Sequence, residues 1–140
     1  MTKGLATLVR VNEWTVDERR RALGILLRQL DDLEAARRGL ERELAKEQTA
    51  AVTNPDEAGF HYGIYAEGVI KRRKAMDQAI RAKEAELETA RESLNEAYRE
   101  LKKFEVIRDT RVERERVEEA RRDRIELDDI GIETFRRRWL

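Results

Sequence analysis

The chain of 140 residues contains no cysteine, one proline and seven glycines, and aromatic residues make up only 6% of it. Without thiols, a disulfide scaffold is excluded. No apolar stretch approaches the roughly 20 residues that cross a bilayer, and the first residues do not have the form of a signal peptide. Lys and Arg balance Asp and Glu at 30 each. We therefore expect a soluble, cytoplasmic protein without direct membrane insertion and without a nucleic-acid partner.

What the chain does contain is charge. Charged residues make up 43% of it, against about 25% in an average soluble domain. Large apolar residues are too sparse for a compact globule of this length built on one core. Such a composition is typical of long helices and coiled coils.

The one strong break in the helical pattern lies at residues 53–59, which contain the single proline. Asn54 can cap a helix, Pro55 fits the first helical position, and Glu57 can reach back to the cap. A second, weaker start signal is the capping box at residues 15–18, where helix one is interrupted or begins. The elements predicted within a single coiled-coil domain are helix one (about 5–52), the turn (53–59), helix two (about 60–128) and a tail (129–140).

Apolar residues recur in both arms at alternating steps of three and four, the spacing of a coiled-coil seam. If the chain folds back at the turn, facing residue numbers add to about 113. The predicted layers are Val9–Phe104, Asn12–Leu101, Val16–Ala97, Arg19–Leu94, Leu23–Ala90, Leu26–Leu87, Leu30–Lys83, Leu33–Ile80, Arg37–Met76, Leu40–Arg73 and Leu44–Val69. Every polar seam residue then faces an apolar one. The pattern predicts an all-α fold, a long antiparallel two-helix coiled-coil hairpin that is a monomer when free.

Beyond Phe104 the apolar seam stops, and its next positions are Arg108, Arg111, Glu115 and Glu118. Opposite charges three or four residues apart can keep such a stretch helical without a partner. The sequence therefore predicts a single-helix C-terminal extension. The short tail after it contains Phe135, three consecutive arginines and Trp139, and is either an anchor for a partner or a disordered end.

The sequence offers little to catalysis. It has no phosphate-binding glycine loop and no plausible cluster of Ser, His and carboxylate. Glu57 and His61 are spaced to share a helix face as metal ligands, but two ligands do not make a zinc site. We expect no enzyme, no cofactor and no metal.

An aromatic cluster follows the turn, formed by Phe60, Tyr62 and Tyr65. Exposed aromatic residues in so polar a protein indicate a partner-binding patch, whereas the alternative is that they only cap the hairpin tip. The adjoining basic run, residues 71–74, is more typical of a solvated face than of a ligand site. From the residues alone, the chain is a helical adaptor, spacer, chaperone or shaft, and a homodimeric structural coiled coil is the alternative.

Four segments carry a resemblance to a known family. They are Leu-Val-Arg-Val-Asn-Glu-Trp at 8–14, Asp-Glu-Arg-Arg-Arg-Ala-Leu at 17–23, Tyr-Gly-Ile-Tyr-Ala-Glu at 62–67 and Tyr-Arg-Glu-Leu-Lys-Lys-Phe-Glu at 98–105. With them, the chain resembles the flagellar type III export proteins of the FliJ family over nearly its whole length. A stalk protein of a non-flagellar type III secretion system would have a very similar sequence.

The resemblance implies a non-catalytic stalk, similar to the central shaft of rotary ATPases. It implies that the terminal end enters the ring of the hexameric export ATPase and promotes its assembly. It also implies that the tip contacts the membrane export-gate subunit, and that the protein handles empty export chaperones. The expected location is the cytoplasmic face of the cell membrane, with peripheral association through the export apparatus.

Site residues follow from the resemblance position by position. The family's gate-contacting aromatic position corresponds to Tyr65 in this resemblance. The residues implied with it are Tyr62, Val69, Arg72 and Met76. For the ATPase, the resemblance implies the first turns of helix one with Trp14 and the extension of helix two. Its arginines there are Arg108, Arg111 and Arg114.

Overall fold

The computed structural model describes the backbone of residues 2–53 and 55–139 and the side chains of residues 3–53 and 62–139. Two α-helices contain every residue of those backbone ranges, α1 at Thr2–Thr53 and α2 at Pro55–Trp139. The predicted all-α fold, a two-helix coiled-coil hairpin with a C-terminal extension of the second helix, is confirmed. None of the described helices contains a segment long and apolar enough to cross a membrane.

The break between the helices is shorter than the predicted turn at residues 53–59. α1 ends at Thr53 and α2 already begins at Pro55. Proline fits the first position of a helix because its φ is fixed near the helical value and the N–H that it lacks would have no partner there. The predicted start of helix two near residue 60 therefore came too late.

α1 also runs without interruption through residues 15–18, where the capping box predicted a break or a start. The Thr15 hydroxyl donates a hydrogen bond of 3.0 Å to the Val11 carbonyl oxygen, one turn earlier in the same helix. Its neighbour Val16 is 3% exposed. The threonine thus satisfies its hydroxyl inside a continuing helix, and burial of the valine stabilises that helix.

α2 extends through most of the predicted tail, since it ends at Trp139 rather than near residue 128. Arg137 and Glu133 form an i,i+4 ion pair with 3.3 Å between Nη2 and Oε1. Pairs at this spacing stabilise a helix by about 0.2–0.5 kcal/mol each. A single glycine, Gly131, costs about 1 kcal/mol in a helix and does not end it.

The residue contacts divide the chain into two compact units. One unit joins Met1–Val16 to Ala97–Leu140, and the other is Asp17–Glu96. Each unit therefore combines a part of α1 with a part of α2. The organisation as one coiled-coil domain stays a prediction.

In the unit of residues 17–96, the apolar seam positions are removed from solvent. The buried ones are Leu40, Val69, Ile80 and Leu87, with 4%, 1%, 9% and 3% of their surface exposed. The remaining apolar seam residues are half-buried. Burial of a side chain of this size is worth roughly 1.5–3 kcal/mol, so the seam supplies most of the stabilisation between the helices.

Three polar contacts between α1 and α2 fix the register of this unit. Arg37 Nε lies 3.1 Å from Asp77 Oδ1, and Arg73 Nε lies 2.7 Å from Glu41 Oε1. The Lys83 ammonium donates a hydrogen bond of 3.0 Å to Gln29 Oε1. The residue numbers of each pair add to within one of the predicted sum, so the antiparallel register is confirmed here.

The other unit contains a shorter seam of the same kind. Its buried apolar residues are Leu5, Val9, Val16 and Ala97. Leu101 and Phe104 on α2 are half-buried. From residue 109 to residue 139, every side chain except the half-buried Glu118 is exposed. The seam therefore ends close to Phe104, the residue beyond which the sequence predicts that it stops.

Candidate partner-binding surfaces

The predicted gate-contacting residues occupy two environments on α2. Val69 is the most deeply buried, with 1% of its surface exposed, and it belongs to the seam. Tyr62, Tyr65 and Met76 are half-buried, and Arg72 is exposed. A partner could reach Arg72 directly and the two half-buried tyrosines in part, whereas Val69 has almost no accessible surface.

Large apolar side chains near the hairpin tip are exposed beside these residues. Ile64 and Ile70 each have 61% of their surface exposed, and Val52 at the end of α1 has 82%. The exposure of Val52 was not predicted from the sequence. Val52 lies outside the seam positions, and this spacing could have predicted that its side chain is exposed. The aromatic Phe60 and the predicted ligand pair Glu57 and His61 lie outside the side chains that the structure describes.

Trp14 belongs to an exposed apolar stripe on α1. Its side chain is 63% exposed, and Leu8 and Val11 are 43% and 54% exposed. A shallow groove is lined by Trp14 and Val11 together with Thr7 and Arg10. Of this stripe only Trp14 was predicted from the sequence, although Leu8, Val11 and Trp14 lie three residues apart outside the seam and their spacing could have predicted it.

The three arginines predicted for the ATPase contact lie on α2, in the same unit as Trp14. Arg108 is half-buried, and its Nε donates a hydrogen bond of 3.2 Å to Asp109 Oδ1. Arg111 and Arg114 are exposed. Arg114 lines a shallow groove along α2 together with Arg122 and three carboxylates between them, Glu115, Glu118 and Glu119. Arg111 and Arg114 are thus accessible, and Arg108 marks the end of the seam.

We name residues 109–139 the C-terminal segment. Hydrogen-bonded ion pairs between neighbouring turns of the same helix stabilise it. Arg116 donates two hydrogen bonds to the Glu113 carboxylate, at 2.8 and 3.1 Å. Arg121 donates two to Glu118, at 2.7 and 3.2 Å. These hydrogen bonds, and then the arginine charges, lower the pKa of both carboxyl groups from its ordinary value. Charged donors and acceptors so arranged form the stronger class of hydrogen bond.

An apolar stripe returns near the end of the C-terminal segment. Ile125, Ile132 and Trp139 continue the seven-residue spacing that begins at Val69 in the seam. Their exposed fractions are 47%, 58% and 71%. The ring centroids of Phe135 and Trp139 lie 6.5 Å apart. This return was not predicted, because the sequence places the end of the apolar seam at Phe104 and the next two positions at this spacing are Arg111 and Glu118.

Within the described part of the chain, no group of three or more His, Asp or Glu residues could hold a metal ion. The described glycines lie inside helices, and none has a positive φ. The surfaces that the structure presents are therefore helix faces, which suit contacts with other macromolecules.

Comparison with known proteins gives one family. No curated protein and no solved structure is significantly similar to the chain. The sequence model of the family described as "Flagellar FliJ protein" matches residues 2–139, which covers both helices and both units. Because the match spans nearly the whole length, the chain belongs to the flagellar FliJ protein family, a family of non-enzymatic components of flagellar protein export.

Proposed function

We propose that this protein is the non-catalytic stalk of the flagellar type III export apparatus, with a chaperone role. In this proposal the C-terminal segment and the first turns of α1 insert into the hexameric export ATPase. The hairpin tip contacts the membrane export-gate subunit, and the protein also receives empty export chaperones. The protein works at the cytoplasmic face of the membrane through these partners.

The observation that carries the proposal is the C-terminal segment. It is a helix whose side chains are exposed from residue 109 onward, with Glu118 the one exception. Ion pairs at three- and four-residue spacing support it along its length, among them Glu113–Arg116 and Glu133–Arg137. A single helix of mixed charge offers both signs around its circumference, so it can meet several identical subunits of a ring without a strong preference for one.

The exposed apolar side chains of the same unit supply binding energy. Trp14 on α1 and Ile132 and Trp139 on α2 all have more than half of their surface exposed. Aromatic residues of this kind dominate the energy of protein interfaces. We assign them, with Arg111 and Arg114, to the ATPase contact.

For the gate contact we assign Tyr65 and Arg72, with Tyr62 and Met76 beside them and Val69 as their support. Both tyrosines are half-buried, so part of each side chain is accessible and part is packed within the protein. An anchor that is already ordered loses less entropy on binding. Two functions at different positions along α2 can therefore be separated by substitution.

The test is a binding experiment with purified export ATPase and export-gate subunit from the same source. Truncation of the chain before Arg108 should abolish stimulation of the ATPase while the remaining hairpin stays helical by circular dichroism. Tyr65→Ala should weaken gate binding by about tenfold, as expected for an aromatic anchor worth about 1.4 kcal/mol or more. It should leave ATPase stimulation unchanged.

Ile25→Ala is the matched control for Tyr65→Ala. Ile25 is an apolar residue of α1 that belongs to neither proposed contact, and 49% of its surface is exposed. It should affect neither partner. Normal ATPase stimulation by the truncated protein would contradict the stalk function. Unchanged gate binding by Tyr65→Ala would remove the tip assignment and leave the ATPase contact standing.

A further inference from the structure

Positive charge is concentrated in one part of a chain that has no net charge. Residues 37–46 of α1 and 70–81 of α2 contain nine Lys and Arg but three Asp and Glu. Both segments belong to the unit of residues 17–96, and the ion pairs Arg37–Asp77 and Arg73–Glu41 join them. The local excess of cations is therefore a property of one folded surface.

Two of the three carboxylates in these segments have partners across the helix interface, and the third, Glu43, is exposed. Glu41 accepts a hydrogen bond of 3.0 Å from Arg73 Nη2, and Asp77 lies 3.1 Å from Arg37 Nε. Both arginines come from the seam, so these two carboxylates neutralise charges that the helix interface brings in. Among the described side chains, neither of these two carboxylates also forms an ion pair with the exposed cations around it.

We name those cations the basic face: Arg38, Arg42, Lys71, Lys74 and Arg81. All five are exposed, and none forms an ion pair or a hydrogen bond within the part of the chain that the structure describes.

Spacing places the basic face along one edge of the seam. Arg38 precedes Glu41 by three residues, and Lys74 precedes Asp77 by three. Each cation therefore lies on the same side of its helix as a carboxylate that pairs across the interface. Arg38, Arg42 and Glu41 line a shallow groove along α1.

An apolar side chain accompanies these cations. Ile70 lies four residues before Lys74 and is 61% exposed. An exposed isoleucine within one helical turn of a lysine combines an apolar contact with a positive charge, a combination that suits polypeptide partners. Single-stranded nucleic acids are instead bound by stacking on aromatic residues, and the basic face contains none.

We propose that the basic face is a docking surface for an acidic polypeptide segment, one with several Asp or Glu residues and an apolar residue that contacts Ile70. Charge complementarity identifies the occupant, because the surface presents five exposed cations from both helices, none of them in an ion pair within the described part of the chain. The surface differs from the proposed gate contact. Arg72 lies two and five residues from Lys74 and Asp77, a spacing that puts it on another side of α2.

The test uses the full chain and a fluorescein-labelled peptide of Glu and Leu residues, with binding followed by fluorescence anisotropy. Measurements at about 0.05 M and about 0.15 M salt should show weaker binding at the higher salt, since screening grows with ionic strength. A single-stranded oligonucleotide of equal charge and vesicles containing phosphatidylserine serve as the competing probes.

The diagnostic variant is Arg42→Glu/Lys74→Glu, which reverses one cation on each helix. Its peptide affinity should fall by about tenfold or more, because like charges across an interface are strongly unfavourable. Arg42→Ala/Lys74→Ala should give a smaller loss in the same direction. The matched control is Arg21→Glu/Arg28→Glu, two exposed arginines of α1 outside the basic face, which should change the affinity by less than about twofold.

Ile70→Ser separates the occupants. It should weaken peptide binding and leave oligonucleotide binding unchanged. An equal loss in the Arg21→Glu/Arg28→Glu control would overturn the proposal, since binding would then follow net charge alone. Tighter binding of the oligonucleotide or the vesicles, with the same sensitivity to Arg42→Glu/Lys74→Glu and none to Ile70→Ser, would also overturn it and assign the face to phosphate groups.

Discussion

Residues 17–96 and the C-terminal segment have the same kind of sequence and opposite means of support. In the first, Leu40, Val69 and Leu87 have less than a twentieth of their surface exposed. In the second, the seven-residue spacing of apolar residues returns at Ile125 and Ile132, and both remain exposed. The seven-residue repeat alone therefore does not bury a residue; a facing helix is needed.

The ion pairs of the two regions also differ, since one region has pairs between helices and the other has pairs within a helix. In residues 17–96, Arg37 and Arg73 pair across the helix interface with Asp77 and Glu41. In the C-terminal segment the pairs join neighbouring turns of one helix, as in Glu113–Arg116. Pairs across the interface help to fix the register, whereas pairs within a helix compensate locally for an absent partner. This difference predicts how each region responds to substitution, pH and helix propensity.

The largest expected effect comes from placing the same charge in each region. Leu87→Asp puts a carboxylate at a position that is 3% exposed, and Leu127→Asp puts one at a position that is 67% exposed. The first should lower the free energy of unfolding by about 4 kcal/mol, from lost apolar burial and a desolvated charge. The second should change it by less than about 0.5 kcal/mol. Chemical denaturation followed by circular dichroism measures both.

These two variants share the same helix-propensity change, so each is the control for the other. Equal destabilisation by both would mean that the C-terminal segment is buried in solution against a partner or a second copy. The molecular mass from light scattering would then distinguish a dimer from a monomer.

Much of the seam could be predicted from spacing, and the register could be predicted because a single proline fixes the fold-back point. Residues such as Leu26 and Leu87 need only their periodicity to be placed. The helix ends were less predictable. Thr15 has two possible partners, the carbonyl oxygen of Val11 and the backbone of a new first turn, and spacing alone cannot decide between them.

The partner-binding residues were less predictable for a similar reason. Spacing predicts which side chains lie outside the seam, and it could have done so for Leu8 and Val11. It also assigns Val69 to the seam, although the family resemblance places the same residue in a partner contact. Whether a seam residue also contributes to binding depends on how much of its neighbours' surface remains accessible, which requires the packed structure.

A smaller effect should follow from acidification, confined to the C-terminal segment. Arg116 and Arg121 lower the pKa of Glu113 and Glu118 below the ordinary 4.5. A carboxyl with a lowered folded-state pKa gives its full stabilisation above the unfolded pKa and loses it as the pH falls through the folded value. The helical 13Cα shifts of residues 111–123 should therefore decrease as the pH falls below 4.5.

Glu113→Gln/Glu118→Gln tests the cause. This variant should show reduced helical shifts in residues 111–123 already at neutral pH, with little further change on acidification. Shifts in residues 17–96 should respond much less over the same range, because apolar burial does not depend on protonation. Helical shifts that stay constant below pH 4.5 in the unsubstituted chain would contradict the local support that we assign to the two ion pairs.

The smallest effect concerns two glycines within helices. A Cβ added at Gly39 or at Gly131 would meet no atom within 4 Å, and neither residue has a positive φ. Alanine should therefore add its helix propensity without a clash, about 0.5–1 kcal/mol at either position. At Gly39, within residues 17–96, the gain should appear in global unfolding as a higher midpoint. At Gly131 it should appear only as slower local amide exchange around Ile130 and Ile132, because that part of the helix can fray while residues 17–96 stay folded. If Gly131→Ala raised the global midpoint as much as Gly39→Ala does, the two regions would unfold as one cooperative unit, and the independence that the comparison assigns to the C-terminal segment would be wrong.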